Sequence, residues 1–135
     1  MATAQSQKYF YALGRRKSAT ARVRLQSGKG IVTVNGKSAE EYFGGSKALL
    51  AKLQQPFGVL EQENKFDISA KVSGGGHDGQ VEAIRLGLAK ALVIMNEDLK
   101  STLKRASLLS RDPREKERKK FGLRGARKQR QFTKR

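Results

Sequence analysis

The chain has 135 residues, with 29 Lys and Arg against 12 Asp and Glu and a formal net charge of +17; that length fits one domain, not two. Hydrophobic residues make up 37% against a usual share of roughly 45–50%, so the core is small and part of the chain is expected to stand outside it. With no cysteine and one histidine, disulfide scaffolds and thiolate metal sites are excluded, and few zinc sites could be built.

The longest wholly apolar run is Ala91 to Met95, far short of the roughly 20 residues a membrane-spanning helix requires. Residues Met1 to Gln7 lack the apolar stretch of a secretory signal. A soluble intracellular protein without membrane contact is expected. Charge of this density repels itself in isolation. Nucleic acid, with about one phosphate charge per 1.7 Å of duplex, is the densest common partner that neutralises it.

In chain order, Tyr9 to Leu13 is a weak strand candidate. Ala19, Ala21, Val23 and Leu25 alternate with Thr20, Arg22, Arg24 and Gln26, the period of a half-buried strand with two arginines on its outer face. Gly28-Lys29-Gly30 reads as a turn, and Ile31 to Val34 as the returning strand of a hairpin closed by Asn35-Gly36. Ser46 is placed to cap a short helix, Lys47 to Leu53, ending before Pro56. Phe66, Ile68, Ala70 and Val72 alternate with Asp67, Ser69, Lys71 and Ser73 as another strand. Val81, Ile84, Leu88, Leu92 and Met95 mark one face of a helix of about four turns. A further helix is expected over Glu97 to Leu109, with Leu99, Leu103, Ala106 and Leu109 on its apolar stripe. Asp112-Pro113 with Glu115 resembles a capping box opening a charged helix to Phe121. These elements imply an α+β domain with a roughly four-stranded sheet packed by helices over 1–109, followed by a basic extension over 110–135.

The charge is uneven. From Arg118 onward nine basic residues occur in eighteen, with no acid. Such a block is normally a disordered interaction tail, because it cannot bury enough apolar surface to offset its ordering entropy. A second cluster is Arg15, Arg16 and Lys17 with Arg22 and Arg24, five cations in ten positions with no acid between them. Clustering on one face favours phosphate contacts over a merely solvated surface, and guanidinium forks suit them. An aromatic pair able to stack bases is not evident, since Phe66 alternates inward and Tyr9 and Tyr11 fit either face; base readout is not expected.

Gly74-Gly75-Gly76-His77-Asp78-Gly79 contains G-x-G-x-x-G between a strand and a helix, but the second parallel strand of a dinucleotide-binding unit is missing. Read as a phosphate loop, it has Gln80-Val81 where Lys-Ser/Thr is required. A flexible turn is the simpler reading, a backbone contact to RNA phosphate is an alternative, and no cofactor is expected. His77 reads as a solvent-exposed loop residue, and Glu40-Glu41, Glu61-Glu63 and Glu115-Glu117 as surface charges. A DNA-compacting protein and a nucleotide-dependent enzyme remain as other classes.

Gly14-Arg15-Arg16-Lys17-Ser18-Ala19-Thr20-Ala21-Arg22-Val23-Arg24-Leu25, Val34-Asn35-Gly36 with Glu41-Tyr42-Phe43, Gly74-Gly75-Gly76 through Gly79-Gln80, Ala83-Ile84-Arg85, and Arg111-Asp112-Pro113 to the end together resemble the bacterial-type family of small-subunit ribosomal protein nine. Its most specific part is Lys119-Lys120-Phe121-Gly122-Leu123 with Gln131-Phe132-Thr133-Lys134-Arg135. The resemblance implies a non-catalytic domain akin to the second domain of ribosomal protein five, with a left-handed βαβ crossover. It further implies a place in the head of the small subunit on the 3′ major domain of its rRNA, beside other head proteins and without homo-oligomers. Arg111, Arg114, Arg118, Lys119, Lys120, Arg124, Arg127, Lys128 and Arg130 are then expected to join the first cluster in contacting rRNA, with Lys134 and Arg135 touching P-site tRNA. The implied setting is ribosome-bound, in bacterial cytoplasm or an organelle. Gln129-Arg130 stands where the family commonly has Ala-Pro, restoring a backbone N–H and freeing φ; Thr133 stands for a usual Ser and Gly125 for a usual Lys.

Overall fold

The computed structural model describes residues 8–61 and 65–131. Five strands form one mixed sheet: β1 (Phe10–Arg16), β2 (Ala19–Ser27), β3 (Val32–Val34), β4 (Lys37–Ser38) and β5 (Phe66–Ser73), in spatial order β1-β2-β5-β3-β4. Helices α1 (Ala39–Tyr42) and α2 (Lys47–Leu60) connect β4 to β5, and α3 (His77–Met95), a 3₁₀ turn (Glu97–Leu99) and α4 (Lys100–Arg105) follow it. The expected α+β class stands, with the two-residue β4 as a fifth strand.

The alternation in β1, β2 and β5 sets which side is inward. Ala12 lies across from Val23, and Val23 from Ala70. All three are buried, while Tyr11, Arg22, Arg24, Ser69 and Lys71 lie on the opposite, exposed face. The inner face packs on α3, whose side towards β1 is lined with small residues. Gly79, Ala83, Gly87 and Ala91 recur every four residues and are all buried. A Cβ on Gly14 would sit 1.8 Å from the Ala83 carbonyl oxygen and 2.6 Å from the Gly87 nitrogen. Strand and helix backbones are therefore in direct contact, which only a missing side chain allows.

The expected hairpin between β2 and β3 is not formed. β5 lies between them, antiparallel to β2 and parallel to β3. Alternation reveals which face a residue occupies but not its neighbour strand, and here the 28–31 segment crosses the end of β5 instead of turning back. The Asp67 carboxylate holds that crossing by accepting from the backbone N–H groups of Lys29, Gly30 and Ile31 at 2.9–3.2 Å. Gly28 is required beside it, since a Cβ there would meet that carboxylate at 2.1 Å. Asn35-Gly36 does turn β3 into β4, both at positive φ. The Asn35 amide also extends the β3–β5 ladder, donating to the Val72 carbonyl at 3.1 Å and accepting its N–H at 2.9 Å.

Three helix boundaries differ from expectation. α2 runs through Pro56 to Leu60; the proline removes the donor for the Lys52 carbonyl, at a usual cost of about 3 kcal/mol. Burial of Pro56 and Phe57, whose ring stacks on Phe66 at 5.8 Å, offsets it. α4 ends at Arg105 because Ser107 adopts a left-handed conformation at φ 60°, with Leu108 N–H donating to the Leu103 carbonyl and Ser107 N–H to that of Lys104. This pairing closes the helix and buries Leu108 against the core instead of Ala106. The charged helix from Pro113 is absent, and 111–120 has no regular structure. Asp112 accepts from the Arg114 N–H at 3.0 Å and from its guanidinium, rather than from the Glu115 N–H that a capping box needs.

Replacing Gly14 with alanine forces β1 off α3 and is expected to cost more than about 3 kcal/mol, read as a lowered midpoint in urea denaturation. Unchanged stability would refute the backbone contact. Three backbone hydrogen bonds hold the Asp67 carboxyl below its ordinary range, so its stabilisation is present above the unfolded value of about 3.9 and fades as pH falls through the lower folded value. Thermal melts of wild type and Asp67→Asn should accordingly differ at pH 7 and converge as pH falls below the lowered folded value.

Candidate nucleic-acid interface

The outer face of the sheet is built by register. Tyr11 pairs with Arg24 and Arg24 with Ser69; Leu13 pairs with Arg22 and Arg22 with Lys71; Arg15 pairs with Thr20. Arg15, Arg22, Arg24 and Lys71 are exposed on it. The acid at its far end is Asp67, whose carboxylate is occupied by the 28–31 backbone. Among the described residues the face therefore carries a net positive charge, four cations against one carboxylate held at its edge. Tyr9 and Tyr11 stand on it too, 48% and 46% exposed, and the Arg24 guanidinium lies over the Tyr9 ring at 5.0 Å. The face of these two tyrosines, left open by the sequence pattern, is thus the outer one.

At the β1–β2 tip Lys17 is exposed and adopts φ 52°. Glycine or asparagine would suit that conformation with less strain, so the sequence keeps a cation at the tip against a local conformational cost. Arg16, its neighbour, points the other way and is 8% exposed. Its guanidinium donates to Glu82 at 2.5 Å and to the carbonyls of Asp112 and Arg114, and lies 3.4 Å from the Asp112 carboxylate. Arg114 and Arg16 together hold the Asp112 carboxyl well below the usual carboxylate range. The sequence pattern groups Arg16 with the phosphate contacts, whereas its Nε and Nη1 donors are engaged in tying α3 and the start of the extension to β1. Neither Glu82 nor this tie was marked by any sequence pattern, because partners 66 residues apart leave no local periodicity.

In the extension, Arg111, Arg118, Lys119, Arg124, Lys128 and Arg130 are exposed. Arg114 is exposed but clamped to Asp112 at 2.7 Å, and Lys120 and Arg127 converge on Glu117. A bridge between Leu123 and Gln129, with Arg124 N–H donating to the Lys128 carbonyl at 2.9 Å, folds this stretch back on itself. Lys134 and Arg135 lie outside the described residues, as does Phe132.

The glycine cluster is explained by packing. Gly74 and Gly75 take φ of 73° and 64°, and a Cβ on Gly74 would sit 2.4 Å from the Ser18 carbonyl oxygen. Gln80, 7% exposed, fills the turn: its amide donates to the Gly74 carbonyl at 3.0 Å and its oxygen accepts from the Tyr42 hydroxyl at 2.8 Å. Asp78 pairs with Lys52 at 2.6 Å. The exposed His77 opens α3 beside the rings of Tyr42 and Phe43. Among the described residues no helix is long and apolar enough to cross a membrane.

Residues 14–135 match the family profile described as ribosomal protein S9/S16. The chain belongs to that family. It is 48% identical over 130 residues to the small ribosomal subunit protein uS9 of Solidesulfovibrio magneticus, covering 96% of this chain and 99% of that one. It is 52% identical over 126 residues to that of Mycoplasmoides gallisepticum, covering 93% and 96%. The uS9 of Desulfovibrio desulfuricans matches at 47% over 130 residues, covering 96% and 99%. As a member of the S9/S16 family the chain is a structural, non-enzymatic ribosomal protein of the small subunit.

Arg15→Ala and Arg16→Ala separate the two roles. Removing Arg16 leaves the partly buried Glu82 with Lys52, 3.7 Å away, as its remaining cation and should cost about 1–3 kcal/mol, read as a lower melting temperature. Removing Arg15 should leave stability within about 0.5 kcal/mol. Equal losses would contradict the inward placement of Arg16.

Proposed function

We propose that this chain binds the 3′ major domain of small-subunit rRNA in the head of the subunit and that its C-terminal extension reaches P-site tRNA. Family membership across residues 14–135 carries the reading, and the one-sided positive sheet face supports it. Arg15, Lys17, Arg22 and Arg24 are the phosphate contacts of the domain, with Arg111, Arg118, Lys119, Arg124, Lys128 and Arg130 those of the extension. Arg114, Lys120 and Arg127 exchange their acidic partners for phosphates when rRNA is present. Exposed ion pairs contribute only about 0–1 kcal/mol each, so that exchange is cheap. The same chain thus divides into a globular unit over 1–109 and an extension over 110–135. Ribosome-bound in bacterial cytoplasm, beside neighbouring head proteins, it acts without cofactor or catalysis. The parallel β3–β5 pair, joined through β4, α1 and α2, is where a left-handed crossover like that of the second domain of ribosomal protein five belongs.

Reach supports the division of labour. An extended chain spans up to about 3.3–3.6 Å per residue, so the eighteen residues from Arg118 can extend roughly 60 Å from the domain. Ordering them costs on the order of 1–2 kcal/mol per residue in backbone entropy, to be offset by phosphate contacts. Lys134 and Arg135 at the far end are placed to touch the tRNA, each charge-assisted bond being worth about 1.5–3 kcal/mol.

The chain is expected to co-sediment with small subunits at moderate salt. A chain lacking Lys134 and Arg135 should still assemble while binding of P-site tRNA weakens by roughly tenfold or more. Assembly failure with unchanged tRNA binding in the surviving subunits would reverse the assigned roles, and a DNA-compacting protein would instead bind duplex DNA as tightly as rRNA.

A further inference from the structure

We propose that the outer face of β1, β2 and β5 is a stacking platform for unpaired RNA nucleotides, with Tyr9 and Tyr11 receiving bases and Arg22, Arg24 and Lys71 receiving the backbone. The inference deepens the rRNA-binding reading and rests on it. Three observations carry it, and they are independent of one another.

The first is shape. Tyr9, Tyr11, Arg22, Arg24, Ser69 and Lys71 line a concavity of about 390 Å³, within the range of roughly 300–1,000 Å³ in which proteins hold small ligands. It adjoins a second hollow of about 260 Å³ that shares Arg22 and Lys71. The two hollows meet at Arg22 and Lys71, so the concave surface continues along β2 and β5 towards Thr20 and Ser73.

The second is aromatic placement. Two same-face residues at i and i+2 of a strand lie about 7 Å apart, so the two tyrosines offer separate ring faces. Arg24 covers one face of Tyr9 at 5.0 Å; it steadies that ring and is itself a planar surface on which a base can stack. Rings about half exposed on a sheet face, beside Arg22, Arg24, Ser69 and Lys71, are not among the residues packed on the core. They are positioned for an outside partner.

The third is charge. Among the described residues three cations and no carboxylate line the concavity, and the Asp67 carboxylate outside it is turned onto the 28–31 backbone, so the lining is net positive. A polyanion with exposed π faces satisfies both features. Double-stranded RNA satisfies only the charge, since its bases are stacked internally and its deep groove is closed to side chains. The partner is therefore single-stranded or looped RNA, read by stacking more than by base-edge hydrogen bonds.

The test compares the full chain with Tyr9→Leu/Tyr11→Leu, which keeps apolar bulk but removes the rings, and with Tyr9→Phe/Tyr11→Phe, which keeps them. Circular dichroism melts verify folding; should the double leucine variant melt early, Tyr11→Leu alone serves. Binding to a 12-nucleotide single-stranded RNA, to a duplex of equal length and to small-subunit rRNA is measured across a salt series. The leucine variant should lose about tenfold or more on the single strand and far less on the duplex, with an unchanged salt slope because no charge was removed. The phenylalanine variant should bind as wild type does. Equal binding by all three proteins, with wild-type affinity for rRNA intact, overturns the platform while leaving the rRNA reading standing. Wild type that prefers neither rRNA nor single strands over an uncharged polymer overturns both. Unaltered RNA binding combined with failed incorporation into subunits assigns the face to a protein neighbour and likewise overturns it.

Discussion

The backbone contact between β1 and α3 constrains everything else in this molecule. At Gly14 the strand touches the helix at Ala83 and Gly87 without intervening side chains, so α3 is seated deep against one side of the sheet. Val81, Ile84, Leu88 and Leu92 are then fully buried in the interior. A chain with only 37% hydrophobic residues has enough apolar area for one such layer and none for a second. The opposite side of the sheet is left uncovered as a consequence of composition, and its residues are available for an outside partner.

Because the covered side admits no charge, cations on β1, β2 and β5 must face outward, and a strand period of two delivers them there in rows. Arg16 is the exception, and its inward turn has a structural purpose. Its guanidinium reaches Glu82 on α3 and the carbonyls of Asp112 and Arg114, so the residue that ends β1 also fixes where the basic extension departs. Positive charge is thus put to two uses at adjacent positions. Arg16 organises the protein internally, while Arg15 and Lys17 remain on the surface.

Much of this was legible in sequence wherever the controlling interaction is local. Alternation assigned the faces of β2 and β5 correctly, the four-turn periodicity located α3, and Asn35-Gly36 marked the β3–β4 turn. What escaped was governed by residues distant in the chain. The neighbour of β3 depends on Asp67 gripping the 28–31 backbone, and nothing within either strand encodes that. Pro56 is a local stop signal overridden by burial of Phe57 against Phe66, and the left-handed Ser107 ends α4 without the glycine that would have announced it. Asp112-Pro113 offered a helix start, but its carboxylate found the Arg114 guanidinium first. The face of the tyrosines stayed open for a different reason: a short weak strand leaves its phase undetermined until its partner β2 is known.

Electrostatics gives the two exposed regions different characters despite similar composition. On the sheet, cations are spaced by strand register and anchored in backbone that the core holds rigid, so their geometry exists before any partner arrives. Among the described residues beyond Asp112, 113–131, there is no strand or helix to impose spacing, and Lys120 and Arg127 borrow order from a shared Glu117. A rigid array loses little entropy on binding and can select a particular arrangement of phosphates and bases. A loosely tied cationic stretch loses far more and in return can follow whatever path its polyanion presents. The first therefore suits recognition of a fixed RNA surface, and the second suits reach, which is why a single small core can serve both without a second domain.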